Sequence, residues 1–151
     1  MCIWTPDKDL GECVREDRVV QVDGRAMKIR DAGEVRRKFG VEPPLIPDFL
    51  ALVGDAADGY PGIAGIGAIT AARLLRLYGP IENFPAATLG ARRELALRFK
   101  ALATLRTDAP LFRDVDALRW RGPQPAFASR AARMEAPRLF ERAVKAHADM
   151  R

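Results

Sequence analysis

The chain has 151 residues, 48% of them hydrophobic and 30% charged, a composition that fits one globular domain or two small lobes and excludes a low-complexity chain. Lys and Arg outnumber Asp and Glu by 25 to 20, and the net charge of +5 points towards a polyanionic partner. No apolar run is long enough to span a membrane, and the opening MCIWTPDKDL lacks the basic and apolar regions of a signal peptide.

In chain order, CIW reads as the end of a strand. TPDKDLGECV reads as a short helix, with Thr5 as N-cap, Pro6 in the first helical position and Asp7 at the positive end of the dipole. RVVQV and AMKIR, joined through Asp23-Gly24, read as a β-hairpin. DAGEVRRKFG is a short helix closed by Gly40, and PPLIPDFLALVG is a second, apolar on Leu45, Ile46, Phe49, Leu50 and Val53. After a glycine-rich loop, a helix from about Ala68 to Tyr78 stops at Gly79-Pro80. PIENF starts another short helix, and ARRELALRFKALATLR is a longer amphipathic one. TDAPLFRDVDALRWRGPQP is irregular or extended, and AFASRAARM and PRLFERAVKAHADM are closing helices. The first strand has no earlier partner and no other βαβ unit to build a parallel sheet. The expectation is therefore that a sheet-forming N-terminal portion is missing.

Little nucleophile or thiol chemistry is available. Cys2 and Cys13 lack metal-ligand spacing and read as free thiols. His147 is the single histidine, in VKAHADM, and reads as a solvated helix residue. Any chemistry must rest on carboxylates. Asp7 and Asp9 are two apart, and Asp55 and Asp58 three apart, which within a turn of helix would share a face. Such pairs brought together suit Mg²⁺ or Mn²⁺, and two ions about 4 Å apart can hydrolyse a phosphodiester. The alternative from spacing alone is that these aspartates cap helices and turns.

Gly62, Gly65 and Gly67 punctuate PGIAGIG just before a helix whose free amides would face an anion. The order G-x-x-G-x-G is not the dinucleotide fingerprint, and no Gly-Lys-Ser/Thr of a P-loop follows. What remains is a hairpin between two helices, with Ile63 and Ile66 tucked inward and glycine amides towards a nucleic-acid phosphate, or a plain helix–helix turn.

TPDKDL (Thr5–Leu10), ALVGDAADGYPGIAGIGAITAARLL (Ala51–Leu75) and LATLRTDAPL (Leu102–Leu111) strongly resemble the structure-specific 5′-nuclease family, in its bacterial 5′→3′ exonuclease branch that includes the 5′-nuclease domain of DNA polymerase I. The resemblance implies a mainly α fold with a small β portion: the C-terminal half of an α/β nuclease, with a helix–hairpin–helix and the remnant of a parallel sheet. It divides the chain into residues 1–40, the end of the α/β core with its hairpin, and residues 41–151, the helical DNA-binding part and closing helices. It implies that Asp7, Asp9, Asp55 and Asp58 belong to an acidic two-metal site for Mg²⁺ or Mn²⁺. It implies that Gly62, Gly65, Ile66, Gly67, Thr70 and Arg73 face duplex DNA, with K⁺ often associated with the hairpin. The implied activity is cleavage at 5′ ends and 5′ flaps by a cytoplasmic, nucleoid-associated protein with no small-molecule cofactor. The alternative is a non-catalytic duplex-binding module of the same ancestry.

The chain departs from the family in two ways. Ile69 stands where GxKTA usually has lysine, removing about one unit of salt slope. The acidic residues and helical arch upstream of TPDKD are absent. Lys8 is read either as approaching the scissile phosphate or as offsetting carboxylate repulsion. Arg92, Arg93, Arg98, Lys100 and Arg106, and separately Arg36, Arg37 and Lys38, read either as phosphate-tracking clusters or as solvated helix faces. Trp4 and Trp120 read as core residues.

Overall fold

The computed structural model describes residues 1–16 and 18–149. They divide into two compact units, Met1–Thr107 and Asp108–Arg151. In the first, β1 (Cys2–Trp4), β2 (Val20–Asp23) and β3 (Lys28–Arg30) form one sheet in that order. β1 runs parallel to β2, with Ile3 opposite Gln21, and β2 runs antiparallel to β3, with Val22 opposite Ile29. The first strand therefore does have a partner within this chain. The residues read only as a hairpin arm serve both neighbours, which corrects the expectation of an unpartnered strand.

The hairpin turns through Gly24–Met27, and the Asp23 carboxylate accepts the Arg25 and Ala26 amides at 3.1 Å each. Between β1 and β2 the helix starts later than its cap residues suggest, as a 3₁₀ turn over Asp9–Cys13. Thr5 Oγ1 takes the Asp7 amide and Asp7 Oδ1 takes the Asp9 amide, both at 3.2 Å. Two successive side-chain turns thus replace the first helical turn.

α1 (Ala32–Phe39) is capped as its sequence demands: Asp31 accepts the Glu34 amide at 2.8 Å, and Gly40 closes it at φ 73°. A 3₁₀ turn, Pro43–Leu45, leads into α2 (Ile46–Val53), which is buried almost all round. α3 (Ala68–Tyr78) and α5 (Arg93–Ala103) pack against it, and α4 (Ala86–Leu89) lies between those two in the chain. Ile46, Leu52, Leu75 and Ile81 form the centre of this core, each at most 1% exposed. Asp48 is 1% exposed and satisfied by the Ile81 amide at 2.8 Å and Lys100 at 2.9 Å.

In the second unit, α6 (Phe127–Arg133) pairs with α7 (Pro137–Ala148), with the Phe127 and Phe140 rings 6.3 Å apart. His147 is half-buried, edge-on to Trp120 at 5.6 Å and against Gly122. Both tryptophans depart from the core reading: Trp4 is 66% exposed, lying across Gly24, and Trp120 is 42% exposed. Cys2 and Cys13 are both free. Among the described residues, no helix is long and apolar enough to cross a membrane.

Candidate metal centre and glycine hairpin

The acidic site is assembled from two loops. The Thr5–Asp9 segment leaves β1 and is held by Gln21, a β2 residue 1% exposed, whose side-chain amide donates to the Asp7 carbonyl. Gln21 carries no sequence signal, because a polar residue inside a short apolar strand gives no hint of its partner. The second loop follows α2. Asp55 and Tyr60 exchange backbone hydrogen bonds of 2.8 and 3.1 Å, so residues 56–59 form a tight excursion rather than a helical turn.

Gly54 makes that excursion possible. Its φ is 94°, and a β-carbon there would come within 2.5 Å of the Pro61 carbonyl carbon. Gly62 packs reciprocally: its β-carbon would meet the Gly54 nitrogen and Val53 carbonyl carbon at 2.4 Å. The two arms of the loop touch backbone to backbone, and Gly62 is buried there rather than offered to a ligand.

Carboxylate oxygens of Asp9, Asp55 and Asp58 lie within 4.8 Å of one another. Asp7, the fourth aspartate of the sequence reading, is exposed and outside this group, its Oδ1 engaged by the Asp9 amide. Burial, a hydrogen bond with the Asp58 carboxyl, and the charges of Asp7, Asp58 and Asp55 push the Asp9 carboxyl up to about 6. Burial also opposes ionisation of Asp55. The Lys8 ammonium and the Ala57 and Asp58 amides outweigh it and hold Asp55 below the usual carboxylate range. The Lys8 Nζ to Asp55 Oδ1 distance is 2.5 Å.

Among the described residues, two buried side-chain polar atoms have no hydrogen-bond partner: Asp9 Oδ1 and the Tyr60 hydroxyl. Tyr60 is 4% exposed and stacked on Phe99 at 5.4 Å. Burial and the charges of Asp9, Asp55 and Asp58 push its hydroxyl up to about 12. An all-oxygen donor set with an orphaned carboxylate oxygen fits a hard divalent cation. Tyr60 was missed by sequence reasoning; a tyrosine directly after Asp-Gly in an acidic loop was the available signal.

Beyond the acidic loop, Ile63 is buried, its amide bonded to the Leu52 carbonyl at 2.8 Å, and Ile66 packs partly against the core. Gly65 (φ 81°) and Gly67 are exposed, with nothing within 4 Å of the position a β-carbon would take. α3 starts at Gly67 with no side-chain cap. Its first amides therefore face outward, beside Ile69 at 87% exposure, half-buried Thr70 and exposed Arg73. The basic stretch that follows is largely structural. Arg92 donates to the Ala64 carbonyl at 2.7 Å, and Arg93 to the Phe84 and Glu82 carbonyls at 2.8 and 2.6 Å. Lys100 is held by Asp48 and Glu82. In the other cluster Arg36 pairs with Glu42 at 3.0 Å, Arg37 pairs with Glu34, and Lys38 lies over the Phe39 ring. Carbonyl and carboxylate partners turn Arg92, Arg93 and Lys100 from apparent phosphate contacts into braces.

The chain is 47% identical over 81 residues to a 5′-3′ exonuclease of Aquifex aeolicus, covering 54% of this chain and 28% of that protein. It is 36% identical over 140 residues to DNA polymerase I of Pseudomonas aeruginosa, covering 81% of this chain and 15% of that one. Among solved structures, the T5 5′-exonuclease with bound zinc superposes with a TM-score of 0.61 at 20% identity, over 68% of this chain and 42% of that one. A bacteriophage T5 flap endonuclease in complex with DNA and metal ions superposes at 0.60 and 19% identity, over 68% and 42%. These likenesses agree on a mainly α 5′-nuclease fold with a small sheet. Residues 41–126 match the family described as 5′-3′ exonuclease, C-terminal SAM fold, and the chain belongs to that family.

Proposed function

We propose that this chain supplies the duplex grip and part of the metal centre of a 5′→3′ exonuclease or 5′-flap endonuclease. The observation that carries the reading is the convergence of Asp9, Asp55 and Asp58 oxygens within 4.8 Å, immediately ahead of the exposed hairpin. Asp9, Asp55 and Asp58 hold Mg²⁺ or Mn²⁺, with Asp7 reaching it through water. Such an ion supplies a Lewis acid that activates water and stabilises the leaving oxygen of a phosphodiester. Asp9 must give up its shared proton before it can act as a ligand. Tyr60 keeps the back of the site dry while offering it a buried hydroxyl.

Gly65, Ile66, Gly67 and the first amides of α3 bind a phosphate of the uncut duplex, with Thr70 and Arg73 alongside and K⁺ as the cation suited to the hairpin. Lys8 stands on the side of the phosphate to be cut. DNA with 5′ ends or flaps is the substrate class.

Cleavage of a labelled 5′-flap duplex with Mg²⁺ tests the activity, using this chain alone and joined to the upstream half of a 5′-nuclease. The joined form should cut, and lose cutting when Asp55 and Asp58 become Asn. No cutting by the joined form overturns the enzymatic reading and leaves the non-catalytic duplex-binding module, which the small number of clustered carboxylates favours for this chain by itself.

A further inference from the structure

Lys8 is the point where the charge balance of the acidic site is decided. The Asp55 side chain is 2% exposed, and Lys8 Nζ lies 2.5 Å from its Oδ1. A carboxylate this buried needs a cation, and burial of one without a partner is strongly unfavourable. Lysine suits a role that must end as well as begin: its ammonium is a point charge on a four-carbon stem, able to leave along the stem without moving the backbone. The backbone beneath it is fixed independently by the Gln21 side chain on the Asp7 carbonyl. Lys8 is near enough to Lys38 for its charge to act there: burial first, then the charges of Arg30 and Lys8, depress the Lys38 ammonium against an opposing effect of Asp23. An ammonium that let go of Asp55 would have Lys38 in range of its charge, with Arg30 held by Asp23 at 2.8 Å.

We propose that Lys8 is a tethered cation that occupies Asp55 in place of a divalent ion and is released to the substrate phosphate when the ion takes that carboxylate. The inference rests on the metal-centre reading above and adds an order of events to it. A divalent ion drawn to the Asp55 carboxylate would compete with the Lys8 ammonium for its charge, so ion loading and Lys8 release would be a single exchange. Lys8 therefore weakens metal binding, and its contact with phosphate waits until the metal is in place. A lysine that merely lines the DNA path would leave metal affinity unchanged.

The test is a Mn²⁺ titration of the full chain at pH 8, where Asp9 is ionised, following the spectrum of free Mn²⁺ by electron paramagnetic resonance. Lys8→Met should bind Mn²⁺ about tenfold more tightly than wild type, because a positive charge facing the ion is gone. Lys8→Arg, which keeps a tethered cation, should stay near wild type. Melting curves give a second comparison: Lys8→Met should melt lower without Mn²⁺ and gain more from its addition than wild type does. A Lys8→Met protein that folds only with Mn²⁺ supports the same exchange. Equal or weaker Mn²⁺ affinity in Lys8→Met, with wild type binding and Asp55→Asn not, overturns the role of Lys8 alone. No binding by wild type, or binding that Asp55→Asn leaves intact, overturns the metal centre and Lys8 with it.

Discussion

The acidic loop and the glycine hairpin are neighbours in sequence, yet they meet solvent in opposite ways. Asp55 is buried, its charge balanced by Lys8, while Gly65 and Gly67 are exposed and carry no side chain at all. The first region works through charge in a partly dry setting, where a misplaced proton or cation is costly. In the proposed function the second works through backbone amides at the start of α3, which are indifferent to pH. Gly54 and Gly62, packed backbone to backbone, join them. In the proposed function they set the spacing between a phosphate held and a phosphate cut, so the two regions can fail separately only while that contact is intact.

The largest expected effect therefore comes from the joint. Gly62→Ala places a methyl group against backbone atoms that cannot move aside and forces a positive φ on alanine. It should cost about 3 kcal/mol in chemical denaturation, and it should weaken metal and duplex binding together. Loss of only one function would break the comparison.

Next comes the acidic loop by itself. Asp55→Asn with Asp58→Asn should lower Mn²⁺ affinity about 100-fold in calorimetry, with the fold retained. Acid should do the same through Asp9. Its carboxyl titrates near 6 in the folded chain, above the ordinary 3.8, so the folded state holds the proton more tightly than the unfolded one. Without divalent ions, the Asp9 contribution to stability should be fully present below the ordinary carboxylate range and be lost as pH rises through about 6. Metal affinity should rise over that same interval. Melting curves across this range, flattened by Asp9→Asn, check both signs.

Tyr60→Phe removes a buried hydroxyl that has no partner. It should raise stability in the absence of metal by about 1 kcal/mol in denaturant melts; a loss of stability would mean that the hydroxyl is satisfied. The smallest effect belongs to the hairpin. Ile69→Lys should add about one unit to the salt slope of duplex affinity, read by fluorescence anisotropy. A slope that stays put would place the duplex elsewhere.

Much of this arrangement was legible in local chemistry. Asp31 and Gly40 bracket α1, Gly79-Pro80 ends α3, and the hairpin glycines mark their loop, because each signal acts within a few residues. What failed was long-range. β2 read only as a hairpin arm, since no local pattern announces its parallel partner. Thr5 and Pro6 looked like a helix start, but the Thr5 and Asp7 side chains bond forward into turns. Arg92, Arg93 and Lys100 read as a phosphate track or a solvated helix face, and their carbonyl and carboxylate partners make them braces instead. Asp9, Asp55 and Asp58 were named from sequence, but their meeting point depends on Gln21 and Gly54, neither of which reads as functional.

The separation of cut from grip is tested most directly by the affinity of a labelled 5′-flap duplex over a KCl series, without divalent ions. Wild type and the Asp55→Asn, Asp58→Asn chain are compared. The same salt slope is expected for both, with affinity unchanged or slightly tighter after two negative charges are lost. A slope that collapses in the double variant would contradict that separation, because the acidic loop would then be part of the grip.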